Sequence, residues 1–398
     1  MAEYMYLPDG VRNIILRLEA AGHTAYVVGG SVRDAVLGRA VNDYDLTTSA
    51  TPEEVKECFR DERTVDTGVK HGTVTLLYDG APYEITTYRV DGEYLDGRHP
   101  TEVKFTDNIA LDLARRDFTV NAIAYNPTAG FVDPYSGMSD AKGGIIRAVG
   151  DASVRFDEDA LRILRALRFS AVLGFSIHPD TAAAIRVKAP LLDKVSRERI
   201  LVELRKLLGG PSAPSVIAEY SEIIASLLSL EEIRLPEVNP TECGWFTYLL
   251  SVFALSSPEP AEAFRRAMRE LKSDNRTRIL GRDTLLALAT GNTAATERDL
   301  RFLMRDFGED AARELLSLLP VLGQADRDPA SVDRIISSGL PYRLRDLALT
   351  GEDISALGVR GAEIGRILSL LLDLVISGEV KNCREELLDA AGELITKS

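Results

Sequence analysis

The chain has 398 residues, of which 45% are hydrophobic and 27% are charged, and its formal net charge is -14. This composition is typical of a folded globular protein and excludes a disordered chain, and the length predicts two to four domains of roughly 100 to 200 residues each. No apolar run approaches the ~20 residues that span a bilayer, and the first residues lack the basic and then apolar pattern of a signal peptide. We therefore expect a cytoplasmic protein.

The chain contains three cysteines and four histidines. The odd number and wide spacing of the cysteines predict reduced thiols and argue against a disulfide framework or a zinc site. No two histidines have the spacing of metal ligands, which argues against a histidine metal centre.

The negative charge is unevenly distributed. Residues 151–210 contain eleven Lys and Arg against eight Asp and Glu, so a basic segment lies inside an acidic protein. Local charge of this kind governs the approach of charged partners more than the global sum does.

The first 145 residues mix helix and strand signals, which predicts an α+β fold with a small mixed or antiparallel sheet. Asp79 and Gly80 separate two alternating segments and predict a hairpin turn. In chain order we expect a helix at 11–22, a strand at 24–30 ending in glycines, a short helix at 32–38, and strands at 43–50, 72–80 and 81–90.

After residue 145 the pattern becomes helical to the end of the chain. Segments rich in Pro and polar residues near 211–214, 234–240 and 322–329 are plausible joints. The predicted domains are 1–145, followed by three all-α domains at 146–210, 211–330 and 331–398.

Two aspartates, Asp43 and Asp45, lie one residue apart on a predicted strand. Residues i and i+2 of a strand point to the same side, so two carboxylates repel each other unless a cation lies between them. Mg²⁺ is the natural cation because it prefers oxygen ligands and completes its shell with substrate phosphates. Glu84, on a strand that could lie alongside, is the best placed third carboxylate. An isolated pair of this kind is more often a solvated strand end.

A glycine turn upstream changes that interpretation. Gly29 and Gly30 allow close backbone approach to a ligand, the following helix directs free N–H groups at an anion, and Arg33 adds a charged fork for a phosphate. An anion cradle and two metal ligands together match what a nucleoside triphosphate with its metal requires.

Four motifs carry a resemblance to a known family. "VGGSVRD" at 28–34, "NDYDLTTSATPEEV" from 42, "RRDFTVNAIAYN" at 115–126 and "RFDEDALRILRALRF" at 155–169 resemble successive motifs of class II CCA-adding enzymes, the tRNA nucleotidyltransferases of the DNA polymerase β superfamily. The resemblance covers residues 22–210 and extends to the last helices. It implies a nucleotidyltransferase head followed by helical neck, body and tail, with CTP and ATP as substrates, Mg²⁺ as cofactor and tRNA as partner.

The resemblance also implies roles for individual residues. The two metal-binding carboxylates fall on Asp43 and Asp45, and the third catalytic carboxylate falls on Glu84. The remaining residues that it places around the nucleotide are Gly29, Gly30, Arg33, Arg116, Asn121, Asp159, Arg162, Arg165 and Arg168.

The segment at 158–169 predicts base recognition by protein side chains. Asp159, Arg162, Arg165 and Arg168 recur every three residues and would form one stripe on a helix, although such a stripe is often only a solvated face. Cytosine and adenine both offer an amine donor beside a ring-nitrogen acceptor, whereas uracil and guanine reverse this polarity. A carboxylate and a guanidinium at Asp159 and Arg162 would accept C and A and reject U and G.

Several alternatives stay open. The loop at 91–105 resembles the flexible loop that CC-only enzymes lack, although His99 stands where many relatives carry arginine. The segment before Glu84 lacks the basic and aromatic insertion typical of bacterial poly(A) polymerases. A-only addition with a partner enzyme is not excluded, and a non-catalytic RNA-binding protein is the alternative of another class.

The basic residues that could contact the tRNA backbone are Lys188, Lys194, Arg197, Arg199, Arg205 and Lys206.

Overall fold

The structure, a computed structural model, describes residues 4–41, 43–68, 72–92, 103–325 and 327–396. The contacts divide the chain into two units, residues 1–216 and 217–398. Each unit has its own packed cores, and each is described by itself below.

The first unit contains the strands. They are β1 (Ala25–Val28), β2 (Asp45–Thr48), β3 (Arg63–Gly68), β4 (Thr73–Tyr78), β5 (Ala81–Thr87), β6 (Arg89–Asp91), β7 (Val103–Phe105), β8 (Ala124–Asn126), β9 (Gly130–Val132), β10 (Ile145–Ile146) and β11 (Ser176–Ile177).

Seven of these strands form one mixed sheet in the order β3-β4-β5-β2-β1-β8-β9. Only β2 and β5 are parallel neighbours in it, and the other pairs are antiparallel. β6 pairs with β7 in a separate antiparallel ribbon, and β10 pairs with β11 in a short parallel one. The expected small mixed sheet is therefore confirmed.

Helices surround this sheet and continue beyond it. They are α1 (Asp9–Ala20), α2 (Gly30–Val36), α3 (Pro52–Cys58), α4 (Ile109–Ala114), α5 (Gly137–Gly143), α6 (Ala152–Glu158), α7 (Leu161–Leu173), α8 (Pro179–Lys188), α9 (Arg197–Leu208) and α10 (Ala213–Glu219), with 3₁₀ turns at Thr119–Asn121 and Ala189–Lys194. The boundary between the units falls within α10.

The two faces of the sheet have different environments because successive residues of a strand point to opposite sides. Val27, Leu46 and Ile85 pack with the apolar face of α1 in the main core of this unit. Val28, on the other face, packs with Leu113 of α4 in a smaller core. Asp45 pairs with Val28 across the strands, so it lies on the α4 side.

The predicted hairpin is confirmed in detail. Tyr78 pairs with Ala81 at the end of the β4–β5 ladder. Asp79 and Gly80 both have positive φ values, 50° and 77°, as a two-residue type I′ turn requires.

Two predictions at residues 145–177 were wrong in detail. The single helix expected to carry Asp159 to Arg168 is broken, because α6 ends at Glu158 and Asp159 has extended backbone angles, φ -144° and ψ 103°. The segment is also not purely helical, since β11 lies within it. Asp159 therefore does not share a helix with Arg162, and the predicted stripe begins only at Arg162.

In the described part of the second unit every regular element is helical. The elements are α11 (Ser221–Leu228), α12 (Pro240–Cys243), α13 (Trp245–Ser256), α14 (Pro260–Glu270), α15 (Asn275–Ala289), α16 (Glu297–Phe307), α17 (Glu309–Val321), α18 (Ser331–Ser338), α19 (Gly351–Ala356), α20 (Ala362–Ser377) and α21 (Arg384–Thr396), with a 3₁₀ turn at Leu344–Asp346.

The second unit contains separate apolar cores. Val332 and Ile335 of α18 pack with residues of α16 and α17. Residues from Leu347 onward, mostly from α20 and α21, form another core. The predicted four-domain division stays a prediction.

None of the helices in the described ranges is long and apolar enough to cross a membrane.

Close packing of α14 against α15 gives a test of the fold of the second unit. Gly281 is buried in α15, and a Cβ atom at this position would overlap the ring of Phe264. Phe264 is fully buried and packs edge-on against Phe253. We expect Gly281→Ala to lower the free energy of unfolding by about 1 to 3 kcal/mol, because the new methyl group would force the buried ring of Phe264 to move.

The matched control is Gly365→Ala in α20, where the glycine is exposed and an added Cβ meets no atom within 4 Å. Alanine should stabilise this helix by about 0.5 to 1 kcal/mol. Urea unfolding followed by circular dichroism measures both changes, and equal effects of the two substitutions would contradict the packing described here.

Candidate active site

The candidate site begins at the amino-terminal end of β2. Asp45 is the first residue of this strand, and Asp43 lies just before it, so the strand is shorter than predicted. Leu46 pairs with Ile85 in the parallel β2–β5 ladder, and the same register places Asp45 beside Glu84. Partners in a parallel ladder point to the same side. The sheet therefore brings Asp45 and Glu84 together, as the sequence predicted.

The carboxylates are exposed, but they interact through their charges. Partial enclosure by the protein raises the pKa of Asp45, and the negative charges of Asp43 and Glu84 raise it further, while the guanidinium of Arg116 opposes them. These four side chains therefore form one electrostatic group. Crowded like charges of this kind are relieved by a bound cation.

The carboxylates of the site are suited to one kind of metal site. Among the described residues, no group of three or more His, Cys, Asp and Glu side chains is arranged to hold a metal ion by itself. Mg²⁺ is commonly held by one or two carboxylates together with substrate phosphates. Asp43 and Asp45 fit a site of this second kind, with Glu84 as a neighbour of the pair.

The glycine turn lies next to these carboxylates. Gly29 has φ 82° and ψ -134°, a conformation that only glycine adopts without strain, and its N–H donates to the carbonyl oxygen of Ile123 at 3.1 Å. A Cβ atom here would lie 3.3 Å from Nη1 of Arg116. Gly29 thus lets the backbone turn into α2 directly beside an arginine of the site.

Arg33 is buried, and each of its three guanidinium nitrogens donates a hydrogen bond to a protein group. Its Nη1 donates to Oδ1 of Asn121 at 2.7 Å, and its Nε and Nη2 donate to the carboxylate of Asp34 at 2.9 and 3.0 Å. Nδ2 of Asn121 donates to Oδ1 of Asp117 at 3.3 Å. Arg33 and Asn121, which the sequence placed around one nucleotide, are therefore in direct contact.

The guanidinium of Arg116 is held by Asp112, a residue that was not predicted as part of the site. Asp112 is completely buried and accepts from Arg115 at 2.9 and 2.7 Å and from Arg116 at 3.5 Å. The backbone N–H of Arg89 and the hydroxyl of Thr47 also point at it, at 3.3 and 3.5 Å. An acid three and four residues before two arginines at the end of a helix indicates ion pairs, so the sequence did contain a signal for Asp112.

The arginines of α7 have carboxylate partners as well. Nε and Nη2 of Arg165 donate to Oδ2 of Asp117 at 2.7 and 2.5 Å. Nε of Arg168 lies 2.6 Å from Oε2 of Glu203, although the two atoms are not aligned as a hydrogen bond. Asp117 and Glu203 are both buried, and neither was predicted as part of the site.

Three of these guanidinium groups lie close to one aromatic ring. The guanidinium carbons of Arg168, Arg165 and Arg33 lie 3.8, 5.5 and 5.7 Å from the centre of the Phe169 ring. Phe169 also packs edge-on against Phe118 of the segment that follows α4. The ring and the ion pairs bring arginines from α2 and α7 into one cluster.

The two residues expected to recognise the base are anchored on different partners. Oδ1 of Asp159 accepts from the N–H of Leu161 at 3.1 Å, and Oδ2 accepts from Nη2 of Arg199 at 2.8 Å. Arg162 is 8% exposed, and its guanidinium donates to Glu158 and to the carbonyl oxygens of Arg155 and Arg115.

Some of the basic residues expected to contact tRNA also have protein partners. Lys188 pairs with Asp157 at 2.6 Å, Arg197 with Asp193 at 3.3 Å, and Arg199 with Asp159. Lys194 and Lys206 are exposed.

The predicted flexible loop is described only at its ends, where β6 and β7 pair. Residues 93–102, including His99, lie outside the described residues, and the prediction for this loop stays a prediction.

Comparison with known proteins gives two family matches and many similar chains. A family model described as the Poly A polymerase head domain matches residues 25–147. A second model, described as a probable RNA and SrmB-binding site of polymerase A, matches residues 174–222. The CCA-adding enzyme of Lactobacillus helveticus is 38% identical over 385 residues and that of Limosilactobacillus fermentum 36% identical over 397 residues, with coverage of 93% and 97% of both chains.

A solved structure is similar over nearly the whole chain. The crystal structure of the Bacillus stearothermophilus CCA-adding enzyme in complex with CTP is 32% identical and has a TM-score of 0.78. The match covers 98% of this chain and 97% of that one.

The ion pair between Asp117 and Arg165 gives a test of how the cluster is held together. Burial alone would raise the pKa of Asp117, but the charge and hydrogen bonds of Arg165 outweigh it and lower the pKa below its usual value. Asp117→Asn would place an amide N–H₂ group against the guanidinium. We expect the free energy of unfolding to fall by about 3 kcal/mol, the usual cost of breaking a buried pair from one side.

The pH dependence follows from the direction of that pKa shift. A carboxyl whose pKa is lowered by folding stabilises the protein above its unfolded pKa, about 3.9, and this contribution is lost as the pH falls further. The difference between wild type and Asp117→Asn should thus be largest near neutral pH and should shrink below about pH 4. Asp193→Asn, which removes the charge of the exposed partner of Arg197, is the control and should change stability by less than about 0.5 kcal/mol.

Proposed function

The chain belongs to the family of CCA-adding enzymes, and from that premise we propose which of its residues bind, transfer and select the nucleotide. The enzyme adds or repairs the 3′-terminal CCA of tRNA from CTP and ATP without a nucleic-acid template and releases pyrophosphate. The observation that supports this overall reaction is the 38% identity to a CCA-adding enzyme over 93% of both chains.

Enzymes of this family use divalent metal ions, and Mg²⁺ is the ion that we propose for this chain. Asp43 and Asp45 would hold it, because they are hard oxygen ligands, and partial burial together with the neighbouring charge of Asp43 raises the pKa of Asp45. When bound, Mg²⁺ supplies positive charge where the attacking 3′-hydroxyl loses its proton and where pyrophosphate departs. Glu84, beside Asp45 in the sheet, adds negative charge that strengthens the binding of cations.

The triphosphate would lie against the turn at Gly29 and Gly30. Gly29 brings the backbone close, and Arg116 lies next to it with its guanidinium held by the buried Asp112. Arg33 is held by Asn121 and Asp34. Donors fixed in this way need little rearrangement when the charge of the transition state develops, which is the main source of catalysis in phosphoryl transfer.

The base would be selected by Asp159 and Arg162. The carboxylate would accept from the exocyclic amine of C or A, and the guanidinium would donate to the adjacent ring nitrogen. Uracil and guanine would place an acceptor against the carboxylate and a donor against the guanidinium, which makes rejection efficient. Arg165 and Arg168, charge-balanced by Asp117 and Glu203, would line the same side of the nucleotide.

The acceptor end of tRNA would be bound through its shape and backbone, as duplex RNA usually is. Lys194 and Lys206 are exposed and are therefore the best candidates for phosphate contacts among the basic residues of the segment 188–206. The remaining contacts would come from the helices of the second unit.

The carboxylate assignment is tested by removing one negative charge at a time. We expect Asp43→Asn and Asp45→Asn each to reduce nucleotide transfer by more than about a hundredfold, the usual loss when one charge-stabilising group of an active site is removed. Glu84→Gln should reduce it in the same direction. Single-turnover transfer of labelled CTP to tRNA measures the effect.

Asp79→Asn is the matched control, since Asp79 is an exposed carboxylate in the turn of the hairpin that carries Glu84. Asparagine adopts positive φ readily, so the fold and the activity should both be retained. Full activity of the Asp43 and Asp45 variants would overturn the metal assignment.

The overall reaction is tested with three tRNA substrates that end in the discriminator base, in C and in CC. Each receives CTP, ATP, UTP or GTP separately, and CTP together with ATP. Extension of the bare tRNA to CCA with both nucleotides, and refusal of UTP and GTP, is the expected result. Extension of the CC-ending substrate alone would make this an A-adding enzyme with a partner, and long A tails on unrelated RNA would make it a poly(A) polymerase.

A further inference from the structure

Arg199 occupies an unexpected place in the structure. It lies near the start of α9, and its Nη2 is 2.8 Å from Oδ2 of Asp159. The side chains of Arg199 and Asp159 are 26% and 17% exposed, so the pair is largely shielded from solvent. The sequence suggested Arg199 as a contact for the tRNA backbone, but its guanidinium contacts the carboxylate proposed to recognise the base.

The carboxylate of Asp159 is held partly by its own segment and partly by another helix. It lies between α6 and α7 with extended backbone angles and is outside both helices. Its Oδ1 accepts from the N–H of Leu161, the first residue of α7. Arg199, from a third helix, holds the other oxygen and so fixes the rotation of the carboxylate.

The orientation of this carboxylate matters for selecting the base. An ionised carboxylate has about four acceptor positions, so after one hydrogen bond to each oxygen it can still accept from the amine of C or A. If the carboxylate is fixed, the carbonyl oxygen of U or G at the same place meets an acceptor and is repelled. If the carboxylate can turn away, this repulsion is relieved and the wrong base is tolerated.

We propose that Arg199 is a positioning residue that determines specificity by holding the carboxylate of Asp159 in the orientation that admits C and A and excludes U and G. The inference rests on the proposed role of Asp159 in base recognition. It assigns to Arg199 a function that acts through Asp159 and requires no contact with the nucleotide.

The test compares Arg199→Gln with Arg197→Gln. Arg197 lies on the same helix and pairs with Asp193, whose side chain is 77% exposed, so the control removes an ion pair that does not involve Asp159. The measured quantity is kcat/KM for CTP divided by kcat/KM for UTP, on a tRNA that ends in the discriminator base. A second ratio, ATP to GTP, is measured on a tRNA that ends in CC.

We expect Arg199→Gln to lower both ratios roughly tenfold, which is the change expected when one hydrogen bond to a charged group is lost. Arg197→Gln should leave the ratios unchanged. Arg199→Lys keeps the charge without the planar fork and should give intermediate ratios. Partial unfolding of a variant scales all four nucleotides alike, so it does not change either ratio.

Two outcomes overturn the inference. Unchanged ratios in Arg199→Gln would show that Arg199 does not position the carboxylate. A rise in KM for tRNA with unchanged ratios would show instead that Arg199 contacts the RNA backbone.

Asp159→Asn separates this inference from the proposed function on which it rests. If Asp159→Asn lowers the ratios and Arg199→Gln does not, only the role of Arg199 fails. If neither variant changes them, the base-recognition role of Asp159 itself fails.

Discussion

The organisation of the site depends on the cost of burying arginine. A guanidinium that leaves water without a carboxylate or carbonyl partner is expensive, and a buried pair is stable only when its remaining hydrogen bonds are satisfied. Several shielded arginines of the first unit have a buried carboxylate close to the guanidinium. Arg116 has Asp112, Arg165 has Asp117, and Arg168 has Glu203.

The same pairing would preorganise the proposed site for an anionic substrate. Arginines that are already ordered by carboxylates would lose little conformational entropy on contacting the triphosphate in the proposed site. The Phe169 ring contributes because it keeps three guanidinium groups on one platform despite their mutual repulsion.

Local signals predicted those parts of the structure that depend on neighbours in the chain. The hairpin at Asp79 and Gly80 follows from the turn preference of these two residues, and the strand signals around Asp45 and Glu84 suggested that these two strands could lie side by side. Asp117 and Glu203 could not be identified in this way, because their partners are tens of residues away in the sequence. Only Asp112, three residues before Arg115, had a local signal.

The break at Asp159 shows why a regular spacing can mislead. Three-residue spacing predicted one helix from Asp159 to Arg168, but the carboxylate of Asp159 instead accepts the N–H of Leu161, as a side chain at the start of a helix often does. The break separates Asp159 from the regular geometry of α7 and leaves its orientation to Arg199, while Arg162 is fixed by the carbonyl oxygens of Arg155 and Arg115. The two proposed base-reading groups therefore depend on α9 and on the segment after α4. A shift of α9 relative to the segment after α4 would move the acceptor oxygens of Asp159 relative to the donor N–H groups of Arg162. Base selection would therefore depend on how these two segments pack.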